Sequence, residues 1–432
     1  MPRWVRTRLS AMMFLFYASL GSWAVTAGTF LLKSPDAGGM GFTTQQVGWI
    51  YSTFALGGMC ATPLVGLLVD RLFRAEIVFA VASIACGVLL LAAGNWCETS
   101  QPHLVYAYAE AGNDFDSPLM RAAASESFHA LFRIMLAQAF CLQIALTLCT
   151  VLSLRNLPDP SHQFSRTRMF GTVGWVVVCN LIGFFMLPTS PAPFYLAGAL
   201  AIVAGMYAFT LPATRPKGTG KGLGEAFGLP AFKLFRDRSF CTFILVALIN
   251  AQMNQFYGVY GHRCLTDRHI ATPERWMTLG QVVEVGCMFV IPLLNPKKNM
   301  KWLMLLGASG GVVRSIAMMA GPDWLALGLG VPMHGWSFAF YYIVAASFID
   351  REAPPHLRAS AQAIGAFVSS GLGPWTGNMI AANVIDRYQT ENVIDWPSVW
   401  VVPLIGSSLA TMLFAVGFRT PGTPAVVKTA TP

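Results

Sequence analysis

The sequence predicts an all-α membrane protein with twelve transmembrane helices in two six-helix halves. Three observations lead there. Hydrophobic residues make up 55% of the 432-residue chain and charged residues only 11%, where a soluble domain carries about 25% charge. The apolar runs are close to 20 residues long, the length of a membrane helix and about twice that of a barrel strand. Six such runs precede one polar, basic stretch and six come after it.

In chain order the expected spans are 11–32, 47–69, 77–96, 132–154, 169–187 and 194–211, then 240–260, 276–294, 302–320, 325–349, 361–385 and 399–418. Arg3, Arg6 and Arg8 before the first run mimic a secretory leader, but the run continues to Leu32 and is read as an uncleaved first helix. The boundary between halves is the segment 212–239, which divides the chain into 1–211 and 240–432. It holds a Gly- and Lys-rich piece, then an amphipathic piece, 223–235. Thr62-Pro63-Leu64 and Ile291-Pro292-Leu293, near the ends of the second and eighth spans, are a faint internal echo. The long loop 97–133 carries scattered acids and is expected to be a solvated cap.

The Lys/Arg distribution orients the chain. With these spans, 21 of the 29 Lys and Arg residues fall on the side of both termini and the central segment, 7 on the other, and Arg314 inside a span. Positive residues stay cytoplasmic, so both termini are expected inside, with the chain a multi-pass protein of the inner (cytoplasmic) membrane. The net charge of +9 then reflects topology, and no nucleic-acid partner is expected. The chain should work as a monomer in the bilayer.

The seven histidines are scattered, mostly in expected loops, and the nine cysteines include no metal-ligand spacing. No nucleophile–base set argues for an enzyme, no loop is long enough for a soluble sensor domain, and no metal or cofactor is expected. Most cysteines fall in apolar runs as packing residues. Cys97 and Cys264 fall in expected outer loops, where a disulfide between them or two free thiols are both open.

Polar side chains inside apolar runs are costly unless they face a cavity or a partner. Arg168, Thr172 and Trp175 share one helical face, as do Gln252 with Gln255, Gln281 with Glu284, and His334 with Phe338. Glu284, near the middle of its run, is the most expensive of them. These faces should turn inward, either to line a site or to bond neighbouring helices, which is worth about 1 kcal/mol per contact. Arg314 is expected to be structural, paired with Asp350 or Glu352.

Several motifs occur in a fixed order. Gly66-Leu-Leu-Val-Asp70-Arg71 comes after the second span and resembles the loop signature of the major facilitator superfamily, though Phe73 and Ala75 depart from it. Next come Arg168-Met-Phe-Gly-Thr-Val-Gly174, Gln281-Val-Val-Glu284, Arg358-Ala-Ser-Ala-Gln362 and Asp395-Trp-Pro-Ser-Val-Trp400. Together they resemble the nucleoside:proton symporters among the major facilitators, over nearly the whole chain.

That resemblance implies a major facilitator fold and nucleoside import by alternating access, coupled to protons. It implies a substrate site of Arg168, Thr172, Trp175, Gln252, Gln255, Gln281, Glu284, His334 and Phe338, with Glu284 carrying the proton. Gly66, Asp70 and Arg71 would form a cytoplasmic latch. The residue types suit the substrate: an aromatic wall for a flat base, amides for its edge, and polar groups for ribose hydroxyls. Phe170 and His334 stand where the family usually has Trp and Tyr. Ala339 replaces an acid one position beyond Phe338, which leaves open a facilitator without proton coupling, or a symporter of another sugar-bearing solute.

Overall fold

A computed structural model describes residues 4–115, 117–185, 189–216, 229–345, 348–349, 353–354, 357–390 and 393–419. Helices account for nearly all of it. Before the central segment lie α1 (Trp4–Ala24), α2 (Ala27–Leu32), α3 (Thr44–Leu67), α4 (Ala75–Glu110), α5 (Pro118–Asn156), α6 (Pro160–Phe185) and α7 (Ala192–Ala208). After it come α8 (Arg238–Asp267), α9 (Pro273–Val290), α10 (Pro296–Ala320), α11 (Asp323–Leu325), α12 (Pro332–Ser337), α13 (Arg358–Ala366), α14 (Gly373–Arg387) and α15 (Trp396–Gly417). A two-residue hairpin, Gln389–Thr390 with Val393–Ile394, joins the last two.

Eight stretches among the described residues are long and apolar enough to cross a membrane. Their outward faces are apolar: Phe184, Phe289 and Val416 are 71%, 68% and 75% exposed. Lipid contact makes that arrangement stable where water would not.

Helix starts obey local chemistry. Thr43 and Gln46 form a reciprocal cap at α3, with Thr43 N–H donating to Gln46 Oε1 at 3.0 Å and Gln46 N–H to Thr43 Oγ1 at 3.2 Å. Ser117 with Pro118 starts α5, and Asp237 accepts from Phe240 N–H at 2.7 Å to start α8. Close packing needs small residues. A Cβ on Gly87 of α4 would lie 2.6 Å from the Gly198 carbonyl of α7.

The helices before residue 212 pack chiefly on one another, and so do those after 238. Across that division α2 meets α8, α3 meets α14, and α6 meets α9. Wider π-type turns interrupt the helical runs at Leu68–Leu72, Ala326–Gly330, Phe338–Ile343 and Phe367–Leu372.

Three expectations need correction. The stretch 97–133 is not a long loop: α4 runs to Glu110 and α5 starts at Pro118. At 1.5 Å per residue, 36 residues of α4 span about 54 Å, well beyond a hydrocarbon core of about 30 Å. The two extensions are pinned by Trp96 Nε1 donating to the Ser127 carbonyl at 3.1 Å. Second, Cys97 and Cys264 are both free and buried inside helices. The indole N–H of Trp400 lies 3.5 Å from Cys264 Sγ. Third, His262 sits inside α8 and is buried, not in a loop.

Arg314 donates to Asn254 Oδ1 at 2.9 Å and lies 5.1 Å over the Tyr257 ring. Asp350 and Glu352 lie outside the described residues. So does the first part of the amphipathic piece 223–235; its remainder lies in a 3-10 helix, Leu229–Arg236. The burial of Gly66 and the side chain of Asp70 are likewise not described, and Arg71 is exposed.

Candidate functional site

Two cavities lie where α1, α3, α6, α8, α9, α12 and α14 converge. The smaller, about 270 Å³, has aromatic walls of Trp23, Tyr51 and Trp175 and polar walls of Gln255, Gln281 and His334. The larger, about 440 Å³, is bounded by Phe338, Tyr342, Asn254, Gln362 and Ser369. Phe54, Gln255 and Pro374 belong to the walls of both. Small-molecule sites usually occupy about 300–1,000 Å³, so the two together have room for a solute larger than a simple ion.

The walls arise from local structure. α9 and α12 touch because Gly335 has no side chain; a Cβ there would collide with the Gly280 carbonyl. That contact brings Gln281 and His334 to one surface. The His334 ring stacks 5.2 Å from the Tyr257 ring, which lies under Arg314. Trp175 is set against α1, where a Cβ on Gly21 would approach its indole to 3.0 Å.

Unpaired polar atoms gather at the smaller cavity. Trp23 Nε1, the Tyr257 hydroxyl, His334 Nδ1 and Asn378 Oδ1 are buried without a hydrogen-bond partner in the protein. All four residues line that cavity. Buried polar atoms are normally paired, and an orphan costs about 1–3 kcal/mol. A polar ligand in the cavity would remove that cost.

The expected site residues separate into three groups. Trp175, Gln255, Gln281 and His334 line the smaller cavity, and Gln255 and Phe338 the larger. Gln252 instead donates to Thr376 Oγ1 at 2.9 Å and ties α8 to α14. Arg168, Thr172 and Glu284 are in neither wall. Arg168 lies 4.0 Å over the Tyr17 ring, within electrostatic reach of the buried Glu284. Thr172 is buried one turn further along α6. His334 and Phe338 lie one regular helical turn apart, with the Phe338 N–H on the His334 carbonyl, yet they border different cavities.

Sequence reasoning passed over Tyr17, Trp23, Tyr51, Asn254, Tyr257 and Asn378. Asn254 and Asn378 carried the same signal as the glutamines, an amide inside an apolar run. The aromatic residues carried none, since a membrane chain is full of them.

Comparison with known proteins places this arrangement. A family model described as "Nucleoside H+ symporter" matches residues 4–109 and 116–423. A putative nucleoside transporter of Escherichia coli K12, YegT, is 27% identical over 431 residues, covering 95% of this chain and 93% of its own. The xanthosine permease of the same organism is 25% identical, covering 98% of each. The crystal structure of the nucleoside transporter NupG superposes with a TM-score of 0.80 at 20% identity, over 96% of this chain and 100% of that one. A bacterial homologue of the lysosomal transporter Spinster does so at 0.67 and 14%, over 97% and 98%. Matched along nearly its whole length, this chain belongs to the nucleoside H+ symporter family.

Proposed function

We propose that the chain imports nucleosides together with protons by alternating access, and that the substrate sits in the two adjoining cavities. The observation that carries this is the clustering of four orphaned polar atoms within an aromatic enclosure. A nucleoside meets both demands. Its flat base stacks on Trp175 or Trp23. Its edge and hydroxyls pair with Gln281, His334, Asn378 and Tyr257.

In this reading the chain is two six-helix halves, 1–211 and 240–432, that rock about the cavities. Both termini and the central segment are cytoplasmic. Support comes from the helix packing, which is dense within each half and limited to a few helix pairs between them. At the 268–272 end the halves are joined. Gln45 donates to Asn383 Oδ1 at 2.8 Å, and Thr44 bonds Asp386. The larger cavity extends the other way, to Ile349 and Gln362. The structure therefore reads as closed outside and accessible from inside.

Glu284 is the proton carrier in this scheme, linked to the first half through Arg168 and Tyr17. The test is uptake into proteoliposomes of labelled nucleosides, bases and sugars, with and without an inward pH gradient. Nucleosides should compete with one another and accumulate only with the gradient. Uptake of nucleosides that ignores the gradient would make the protein a facilitator, the reading that Ala339 favours. Preference for a free sugar would remove the nucleoside assignment.

A further inference from the structure

His262 of α8 and Glu274 of α9 form a buried pair, 2% and 1% exposed, with Nε2 and Oε2 3.0 Å apart. The other ring nitrogen, Nδ1, lies 2.7 Å from Thr29 Oγ1 of α2. This chain of three side chains crosses between the helices before 212 and those after 238. Its far end reaches the substrate region, since Glu274 lines the smaller cavity. Against α6 the carboxylate fits only because residue 183 is glycine; a Cβ there would collide with Glu274 Oε1.

Burying an ion pair is poor value for stability, because desolvation offsets the attraction. A pair kept at such depth beside a cavity is a candidate working group. Its geometry accepts a proton without breaking a bond. With neutral imidazole and ionised Glu274, Nε2–H donates to the carboxylate and the Thr29 hydroxyl donates to Nδ1. Add one proton, and both ring nitrogens donate, to Glu274 and to the Thr29 hydroxyl oxygen. The unit's charge goes from minus one to zero. A net charge in a dry enclosure is costly, so the closed outer end is stable with the proton bound. Once the proton leaves through the cavity, closure is penalised.

Other groups set the field here. Cys179 of α6 lies within electrostatic reach of Glu274. Tyr51 and Tyr257 share the cavity. Arg275, next on α9, reaches Asn180 Oδ1 at 3.4 Å. Arg263 is held by Asp267 at 2.7 Å, and Asp386 is engaged by Thr44 and Gln45.

We propose that His262 and Glu274, docked on Thr29, form a second proton-binding site of the transport cycle, loaded from outside and required for the outer end to stay closed. It rests on the proton-symport reading and on the 268–272 end being outermost. It would supply the carboxylate that Ala339 removes from the tenth span.

The test uses the full-length protein in proteoliposomes. Two quantities are measured in the same vesicles: nucleoside accumulation driven by an inward pH gradient, and nucleoside exchange at equal pH. Their ratio separates coupling from general damage. Glu274→Gln and His262→Gln should each lower the ratio about tenfold, the effect of replacing a charge-assisted hydrogen bond by a neutral one. Exchange in these variants should also respond less to pH than exchange in the wild type. A wild-type ratio in Glu274→Gln, or an equal fall in both quantities, overturns the proposal. Should either variant fold poorly, Thr29→Val is measured instead. It should lower the ratio about threefold by removing one buried hydrogen bond, and a wild-type ratio would remove the link to closure. A wild-type protein indifferent to the gradient sinks the symport reading itself, a separate outcome.

Discussion

Arg314 donates to Asn254 across 2.9 Å, and this one bond joins α10 to α8 at the wall of the larger cavity. The same guanidinium covers Tyr257, the residue that supports His334. An intramembrane arginine expected to serve only structure thus sits behind both cavities.

Arg314→Leu should therefore lower both stability and nucleoside affinity. It removes a charge-assisted hydrogen bond to the part-buried Asn254 amide oxygen, worth about 1.5–3 kcal/mol. Arg314→Lys should recover little, because an ammonium cannot bond Asn254 and cover the Tyr257 ring together. Melting temperature and a binding titration measure the two effects. A Lys variant indistinguishable from wild type would contradict this.

Gln281→Ala should weaken nucleoside binding about tenfold, the loss expected when a site hydrogen bond is removed, and leave the melting temperature nearly unchanged. Gln252→Ala should do the reverse. Its amide holds Thr376 of α14 at 2.9 Å and is in neither cavity wall. Affinity and stability measured together on both variants test the division. Equal affinity losses would place Gln252 back in the site.

Glu284→Gln fixes the carboxyl in an uncharged form. Gradient-driven accumulation should fall at least about tenfold relative to exchange, since general acid–base partners of this kind typically contribute a hundredfold or more to proton steps. If it accumulates nucleoside as wild type does, Glu284 is not the coupling group, and the His262–Glu274 pair would stand alone in that role.

Gly335→Val should fail to fold or unfold readily. The added side chain would meet the Gly280 carbonyl and Glu284 N–H, both backbone, and overpacking against atoms that cannot move costs about 1–3 kcal/mol or more. Gly286→Ala, on the neighbouring α9 with open space around its Cα, should be tolerated. Detergent-extracted yield and thermal unfolding compare the two.

The amino-acid sequence alone determined the membrane class, the family and the residue types of the site, because each is written in composition or local pattern. Apolar run length decides which segments cross a bilayer. An amide such as Gln281, placed where lipid would be its alternative, announces an inward face. Only the tertiary structure decided the task of each inward face. Gln252 and Gln255 look equivalent on a helical wheel, yet one bonds α14 and the other stands between two cavities. His334 and Phe338 are neighbours one helical turn apart, yet each borders a different cavity. His262 and Glu274 looked like residues of a loop. Their meeting depends on where α8 ends, on the turn into α9, and on Thr29 arriving from 233 residues away. No local period encodes a contact of that separation; packing of whole helices makes it.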